Sequence, residues 1–381
     1  MKKILMMPDD FIRSKVFLDM GNTVKVALRT SVPCYAFADL NGERYREDGN
    51  DLEPFHFKDH IFLFPKEILS DVQTFTVTFR PGLKNSVFKE IGDIIISDFT
   101  YQPELLRSYE EELSSMDRGL SLKSKECGEV SPGCSYAIEH YETATGEPVV
   151  VNSLVYDANK FTMLCGTPHG TLDYRNQKDT VMNTVKFERE QGKDILAAFN
   201  ADFFDMHGDC APSGLCIKDG VIVANPHSER YFFAVKNDGT HIIDTLVGKP
   251  RLVYEIDQAV CGLNLLLENG KVKDVSAGEE FGTTPHPRTV VGLTEDGRVV
   301  ILVIDGRRPW HSNGATLYEC AILLKEHGAV RGVNLDGGGS STFIVKNTDG
   351  EHEMLNQPAD LHRPFENLIR DVFDSILIIK K

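Results

Sequence analysis

Tryptophan occurs once in the 381 residues, and long apolar runs do not occur. Stretches such as 299–304 and 376–379 fall far short of the roughly 20 residues a helix needs to cross a bilayer, so no membrane span is predicted. Near the start, Lys2 and Lys3 precede a short apolar run at 4–7 that Asp9 and Asp10 end. A secretory leader needs an apolar region of about 7–15 residues, so no signal peptide is read here, which by itself suggests the cytoplasm. Basic residues are in deficit: 41 Lys and Arg stand against 57 Asp and Glu, a net charge of −16. That field repels nucleic acid and anionic membranes. A phosphate-bearing substrate would therefore need its positive groups close by. The eight cysteines contain no C-x-x-C pair, which argues against a zinc ribbon or a thioredoxin-like site. Cys127 with Cys134, and Cys210 with Cys216, are near enough in sequence to bridge, but free buried thiols are the favoured reading.

What is present suggests two parts. Residues 1–125 read as a small β-rich module and a linker. Residues 75–79 alternate with period two, Asn41-Gly42 and Asp48-Gly49 mark turns, and Pro54, Pro65 and Pro81 punctuate the rest. A short polar helix follows Tyr101, before a Ser- and Lys-containing stretch that ends near residue 125. From residue 126 strands and helices mix, which predicts an α+β domain: a mixed, mostly antiparallel β core flanked by helices. Strands are expected at 149–156, 195–199 and 330–335, helices at 180–191 and 316–327, and hairpin turns at Asp219-Gly220, Asp238-Gly239 and Asp296-Gly297. Thr316 and Glu319 form a capping box for the second helix, and Gly328 suits its C-terminal turn.

Four groups of residues carry chemistry. Asn200, Asp202 and Asp205 end an apolar strand, where a rigid sheet positions polar side chains. His286-Pro287-Arg288-Thr289 offers a titratable ring and a planar guanidinium suited to phosphate. Asp305-Gly306-Arg307 leads into the capped helix, whose N-terminus is a candidate anion site. Asp336-Gly337-Gly338-Gly339-Ser340-Ser341 ends another strand. Three successive glycines are costly in regular backbone and point to unusual torsions, close approach or an anion-binding nest. The run lacks the Gly-Lys-Ser/Thr ending of a nucleotide-binding P-loop.

Taken together and in order, these blocks resemble the phosphodiester glycosidase family. The matching residues are 198–204, Ser213-Gly214-Leu215 with Lys218-Asp219-Gly220, 286–289, 305–307, Thr316-Leu317 with Glu319, and 334–341. Gly166-Thr167-Pro168-His169 and Asn356-Gln357-Pro358-Ala359-Asp360 look like bacterial members. The likeness spans about residues 140–381. It implies a hydrolase that cuts the bond between a sugar, N-acetylglucosamine-like, and a phosphodiester-linked group on a glycan or glycopolymer. It also implies an extracytoplasmic setting. The residues expected to act are Asp202, Asp336, His286 and Asn200 in catalysis. Arg288, Asp305, Arg307, Gly337, Gly338, Gly339, Ser340 and Ser341 are expected in substrate binding. No cofactor is required and no metal ligand is assigned, although a divalent cation is admissible. The expected partner is a sugar phosphate or glycan, not nucleic acid. Two rival readings remain: a metal-dependent phosphodiesterase cutting P–O with Asp202, Asp205, His207 and Asp209, and a carbohydrate-binding surface protein without turnover.

Overall fold

The computed structural model describes residues 12–381 except 31–33, 47–58, 70–71, 81–94, 226, 228 and 362–366. The expected turn at Asp48-Gly49, Pro54, Pro81 and the N-terminal apolar run lie outside the described residues. No described helix is long and apolar enough to cross a membrane. The chain divides into two compact units. One comprises Met1–Met116 with Ser276–Thr283, the other Asp117–Val275 with Thr284–Lys381. The division precedes the expected residue 125 because Ser121–Ser131 is already a strand of the second unit's largest sheet.

The first unit contains two four-stranded sheets. In one, Thr23–Thr30 lies between Asp59–Pro65 and Ile12–Asp19, and Leu106–Ser108 adds a short parallel edge. In the other, Tyr35–Leu40 and Gln73–Arg80 pair centrally, flanked by Glu43–Arg46 and Ile95–Tyr101. Alternation at 75–79 turns Phe75, Val77 and Phe79 to one buried face. They join Phe17, Phe62 and Phe64 in a single aromatic-rich core. Asn41-Gly42 makes its hairpin, with positive φ at both residues (52° and 81°). The polar helix is Tyr109–Ser115, capped by Ser108 and Glu111.

The second unit is more β-rich than α+β, which corrects the expected class. Its pairings are antiparallel throughout the three main sheets. The expected helices form, but only as Val181–Glu190 and Leu317–Glu326, ten residues each. An eight-stranded sheet runs Lys271–Val272, Leu265–Glu268, Ala329–Asn334, Arg288–Thr294, Arg298–Ile304, Pro148–Asp157, Cys134–Glu142, Ser121–Ser131. One five-stranded sheet runs Phe161–Gly166, Ser375–Lys380, Ala197–Asn200, Phe343–Lys346, His352–Met354. The other runs Val221–Ala224, Cys216–Lys218, Ile256–Cys261, Phe232–Lys236, His241–Asp244. All three contribute to one core that includes Phe199, Phe233, Ile301, Val333 and Phe343. The three Asp-Gly pairs turn the hairpins predicted for them. All eight cysteines are free thiols, and only Cys127 is exposed.

Candidate active site

Antiparallel pairing gathers the sequence-distant blocks. Arg288 pairs with Ile304 and Val290 with Asn334, so the start of one strand lies beside the ends of its two neighbours. The 286–288, 305–307 and 336–339 segments therefore emerge at the same end of the sheet. The Gly338 N–H donates to Pro287 O at 2.8 Å, joining the first and third. Asn200 ties in the five-stranded sheet. Its Nδ2 donates to Asp336 O at 2.6 Å, and its Oδ1 accepts from Thr289 Oγ1 at 2.8 Å and from the Thr342 N–H at 3.1 Å. Asn200 is 0 % exposed and three of its polar contacts are internal, so it acts as the pin that holds these loops together.

Asp336 is the less buried of the two expected carboxylates. It keeps some solvent contact, unlike Asp202. Dense packing of protein around it lifts its carboxyl from the ordinary 3.8 to about 6, while Arg370 and Arg307 favour the charged form. Its Oδ1 accepts from the Gly337 N–H at 2.9 Å. Arg307 is solvent-exposed, with a left-handed φ of 59°, and its guanidinium lies against Gly338. Arg370 makes a two-pronged pair with Asp360, at 2.9 and 3.0 Å, over Gly339. Arg370 and Asp360 were not singled out as site residues. Asp360 falls inside a matching block, but nothing local in the sequence distinguishes Arg370.

The glycines serve a different purpose from the expected nest. The N–H of Gly337 and that of Gly338 already have partners within the protein. What the positions require is absence of bulk. A Cβ on Gly337 would run into Pro287 O, and one on Gly339 into the Asp360–Arg370 pair. Gly338 needs φ of 61°. Ser340 and Ser341 lie buried behind the turn.

Other expected residues sit deeper. Arg288 is 2 % exposed, its Nε donating to Ala315 O at 3.2 Å and one Nη to Thr284 O at 3.1 Å. Burial lowers its pKa to about 10, so it remains a cation at neutral pH, but one anchored to backbone. Asp305, 1 % exposed, collects His311 Nε2 at 2.8 Å, Asn356 Nδ2 at 3.2 Å and the Gln357 N–H at 3.0 Å. It fastens the 356–357 segment beneath the Arg307 loop. His286 is pushed down to about 4 by burial, with Arg288 and Arg307 adding to the effect, so it is neutral at physiological pH. At the N-terminus of Leu317–Glu326, the anion is Glu319 itself. It caps the Thr316 N–H at 2.9 Å and accepts from Arg118 Nε and Nη2 at 2.9 and 2.7 Å. That corrects the candidate anion site at this helix.

Asp202 is 2 % exposed, and its Oδ1 accepts from the Cys261 N–H. Its own N–H donates to Asp374 Oδ1 at 2.9 Å. Burial raises the pKa of Asp202 far above the ordinary range, with the Asp374 charge adding to it. The nearby Asp205 and Asp209 close turns instead. Asp205 Oδ1 accepts the N–H groups of His207 and Gly208 at 3.2 and 2.8 Å, and Asp209 Oδ1 accepts that of Ala211 at 3.2 Å. Among the described residues, the side chains close enough to share an ion are Cys165, Cys216 and Asp374, not this stretch.

The fold and site define a mostly antiparallel β protein whose strand-end loops bring one carboxylate under the influence of two guanidinium groups. Comparison with known proteins assigns that architecture. Residues 193–370, a little under half of the chain, match the family model described as phosphodiester glycosidase. The chain is 28 % identical over 180 residues to the mouse N-acetylglucosamine-1-phosphodiester alpha-N-acetylglucosaminidase, covering 43 % of this chain and 33 % of the mouse protein. For the human counterpart the values are 27 % over 190 residues, 45 % and 35 %. An uncharacterized prophage-derived protein of Bacillus subtilis, YomE, is 27 % identical over 245 residues, 60 % of this chain and 36 % of that one. The matches thus span about a third of these relatives' length. In structure, the catalytic domain of the zebrafish glucosaminidase superposes with a TM-score of 0.53 at 21 % identity, covering 68 % of this chain and 89 % of that one. A hypothetical protein from Synechocystis gives 0.51 at 12 %, covering 98 % and 82 %. These two likenesses concern the fold.

Proposed function

We propose that the second unit hydrolyses the bond between the anomeric carbon of a sugar and a phosphodiester oxygen, releasing free sugar and a phosphate monoester. The observation that carries this reading is Asp336, a carboxylate with a pKa near 6, influenced by Arg307 and Arg370 within the segment that matches the family model. The departing phosphate is weakly basic, so strong protonation of the leaving group is less necessary than in ordinary glycoside hydrolysis. The site must instead hold an anion and stabilise a sugar that gains positive charge. Arg307, exposed beside the glycine turn, grips the phosphate, and Arg370, oriented by Asp360, supplies a second positive charge. Asp336, ionised above about pH 6, stabilises the oxocarbenium-like sugar and takes a proton from the attacking water. Water adds to the anomeric carbon as the carbon–oxygen bond breaks, and both electrons of that bond leave with the phosphate. Arg288 and Asn200 keep the loops in register, and Asp202 supports them from the interior. An N-acetylglucosamine-like sugar is the first substrate to try, by analogy with the names of the mammalian relatives.

A panel of sugar-1-phosphodiesters, assayed for free sugar in oxygen-18 water, tests this. Label in the sugar is the expected result. Label in the phosphate would mean P–O cleavage, and saturable binding without release would mean a carbohydrate-binding protein. Either outcome removes the proposal.

A further inference from the structure

Beyond the proposed reaction, we propose that Cys165, Cys216 and Asp374 form a buried site for a thiophilic divalent cation of the zinc type. The three residues come from separate strands. Cys165 lies in Phe161–Gly166, Cys216 opens Cys216–Lys218, and Asp374 immediately precedes Ser375–Lys380. The sulfur atoms of Cys165 and Cys216 are 3.8 Å apart, and Cys216 Sγ is 3.6 Å from Asp374 Oδ2. One ligand atom from each of the three lies within 4.8 Å of the others. In a tetrahedral zinc centre, bonds of about 2.3 Å to sulfur and about 2.0 Å to oxygen give ligand edges of about 3.8 Å for S···S and about 3.5 Å for S···O. The S···S separation and the Cys216 S···O separation match those edges, and the third lies within 4.8 Å.

A second observation points the same way. Asp202 stands beside this trio, its N–H bonded to Asp374 Oδ1, yet its own Oδ2 is buried without a hydrogen-bond partner. That oxygen either carries a proton shared with the Asp374 carboxyl or faces a cation, and the cobalt titration below separates the two. Lys218 Nζ is already engaged, donating to Cys165 O at 2.8 Å and pairing with Glu188, and Arg230, which lies towards Cys261 and Asp202, makes no hydrogen bond to Asp202 Oδ2. Two thiolates select a soft ion over magnesium or calcium. The ion would tie both five-stranded sheets together beneath the Asp202 segment, a structural role.

The experiment uses the full chain, stripped with chelator and reloaded with cobalt(II). One cobalt per chain, with a thiolate-to-cobalt charge-transfer band in the near ultraviolet, is the expected result. C165S and C216S should each abolish the band, D374N should weaken binding at least about tenfold, and C127S, which removes the exposed thiol, should keep both. No band in the wild-type chain at one equivalent overturns the proposal whether or not the serine variants fold. So does a band retained in the C165S/C216S double variant, or a peptide map showing Cys165 and Cys216 joined as a disulfide. A chain with the band and no sugar release keeps this site and loses the glycosidase reading, and the converse result separates them equally well.

Discussion

Asp202 and Asp336 both follow short buried strands, yet their surroundings give them different work. Asp202 is enclosed, bonded to the Cys261 N–H and raised far above the ordinary carboxyl range. Asp336 is raised only to about 6, keeps contact with solvent and feels Arg307 and Arg370. D336N should lower kcat by about 100-fold or more, the usual size of a lost acid–base group, and in the wild type kcat/KM should rise with pH through about 6. The stability consequence has a definite sign. A carboxyl at about 6 when folded, against an ordinary 3.8, binds more protons folded than unfolded between those values. Its favourable contribution is complete below 3.8 and is lost as pH rises through about 6. D336N should therefore melt no lower than wild type at pH 7.5, and its melting temperature should fall less steeply between pH 5 and 7. Wild-type turnover in D336N would remove the assignment. The arginines separate in the same assays. R307A should raise KM for phosphodiester substrates by about tenfold or more with little change in melting temperature. R288A removes a buried donor to Ala315 O and Thr284 O, leaving carbonyls unsatisfied, and should cost about 2–4 kcal/mol of stability.

At the level of elements, the glycine turn makes a sharper test than any strand. At Gly339 a Cβ would meet only side-chain ends, those of Arg370 and Asp360, which can move aside. At Gly337 it would meet the Pro287 carbonyl and come within 3.2 Å of the Arg288 backbone, which cannot. G339A should thus lose much of its activity while melting near wild type, and G337A should lose stability first. Equal melting temperatures for the two would contradict this account. The turn itself was legible in sequence, since three glycines after an apolar strand have few other uses. So were the three Asp-Gly hairpins and the box of Thr316 and Glu319, because each is a local device read within about four residues. What escaped was non-local. Arg370 reaches the turn through its pair with Asp360. Cys165 lies near Asp374 because Phe161–Gly166 pairs with Ser375–Lys380, a neighbour far away in the chain, and Cys216 reaches it from the other five-stranded sheet. Periodicity has no access to such strand order. The α+β expectation held for the mostly antiparallel core but overstated the helices, for a related reason. Short apolar runs between turn signals do not declare how many strands they make, and only two stretches of the second unit proved long enough and periodic enough for three-turn helices.

At the scale of the molecule, every residue assigned to the candidate site lies in the second unit. The first unit has its own aromatic core, in which Phe75 stacks on Phe99 with centroids 5.6 Å apart. It also claims Ser276–Thr283, where Glu279 pairs with Lys25 and Glu280 with Arg29. Removing residues 1–116 alone would take Lys25 and Arg29 from those two carboxylates and expose the apolar surface around Gly278, which lies against Leu18 and Ala27. A chain of residues 117–381 in which 276–283 is replaced by an eight-residue Gly/Ser linker avoids both effects. Such a linker closes a short loop at small entropic cost. This chain should fold cooperatively and release sugar from a small sugar-1-phosphodiester with kcat within about threefold of the full protein, since no residue of the site has been removed. A KM increase confined to polymeric substrates would place glycan recognition on the first unit. A folded 117–381 chain with no turnover on the small substrate would mean that the first unit contributes to the chemistry, and the present assignment of the site would have to be redrawn.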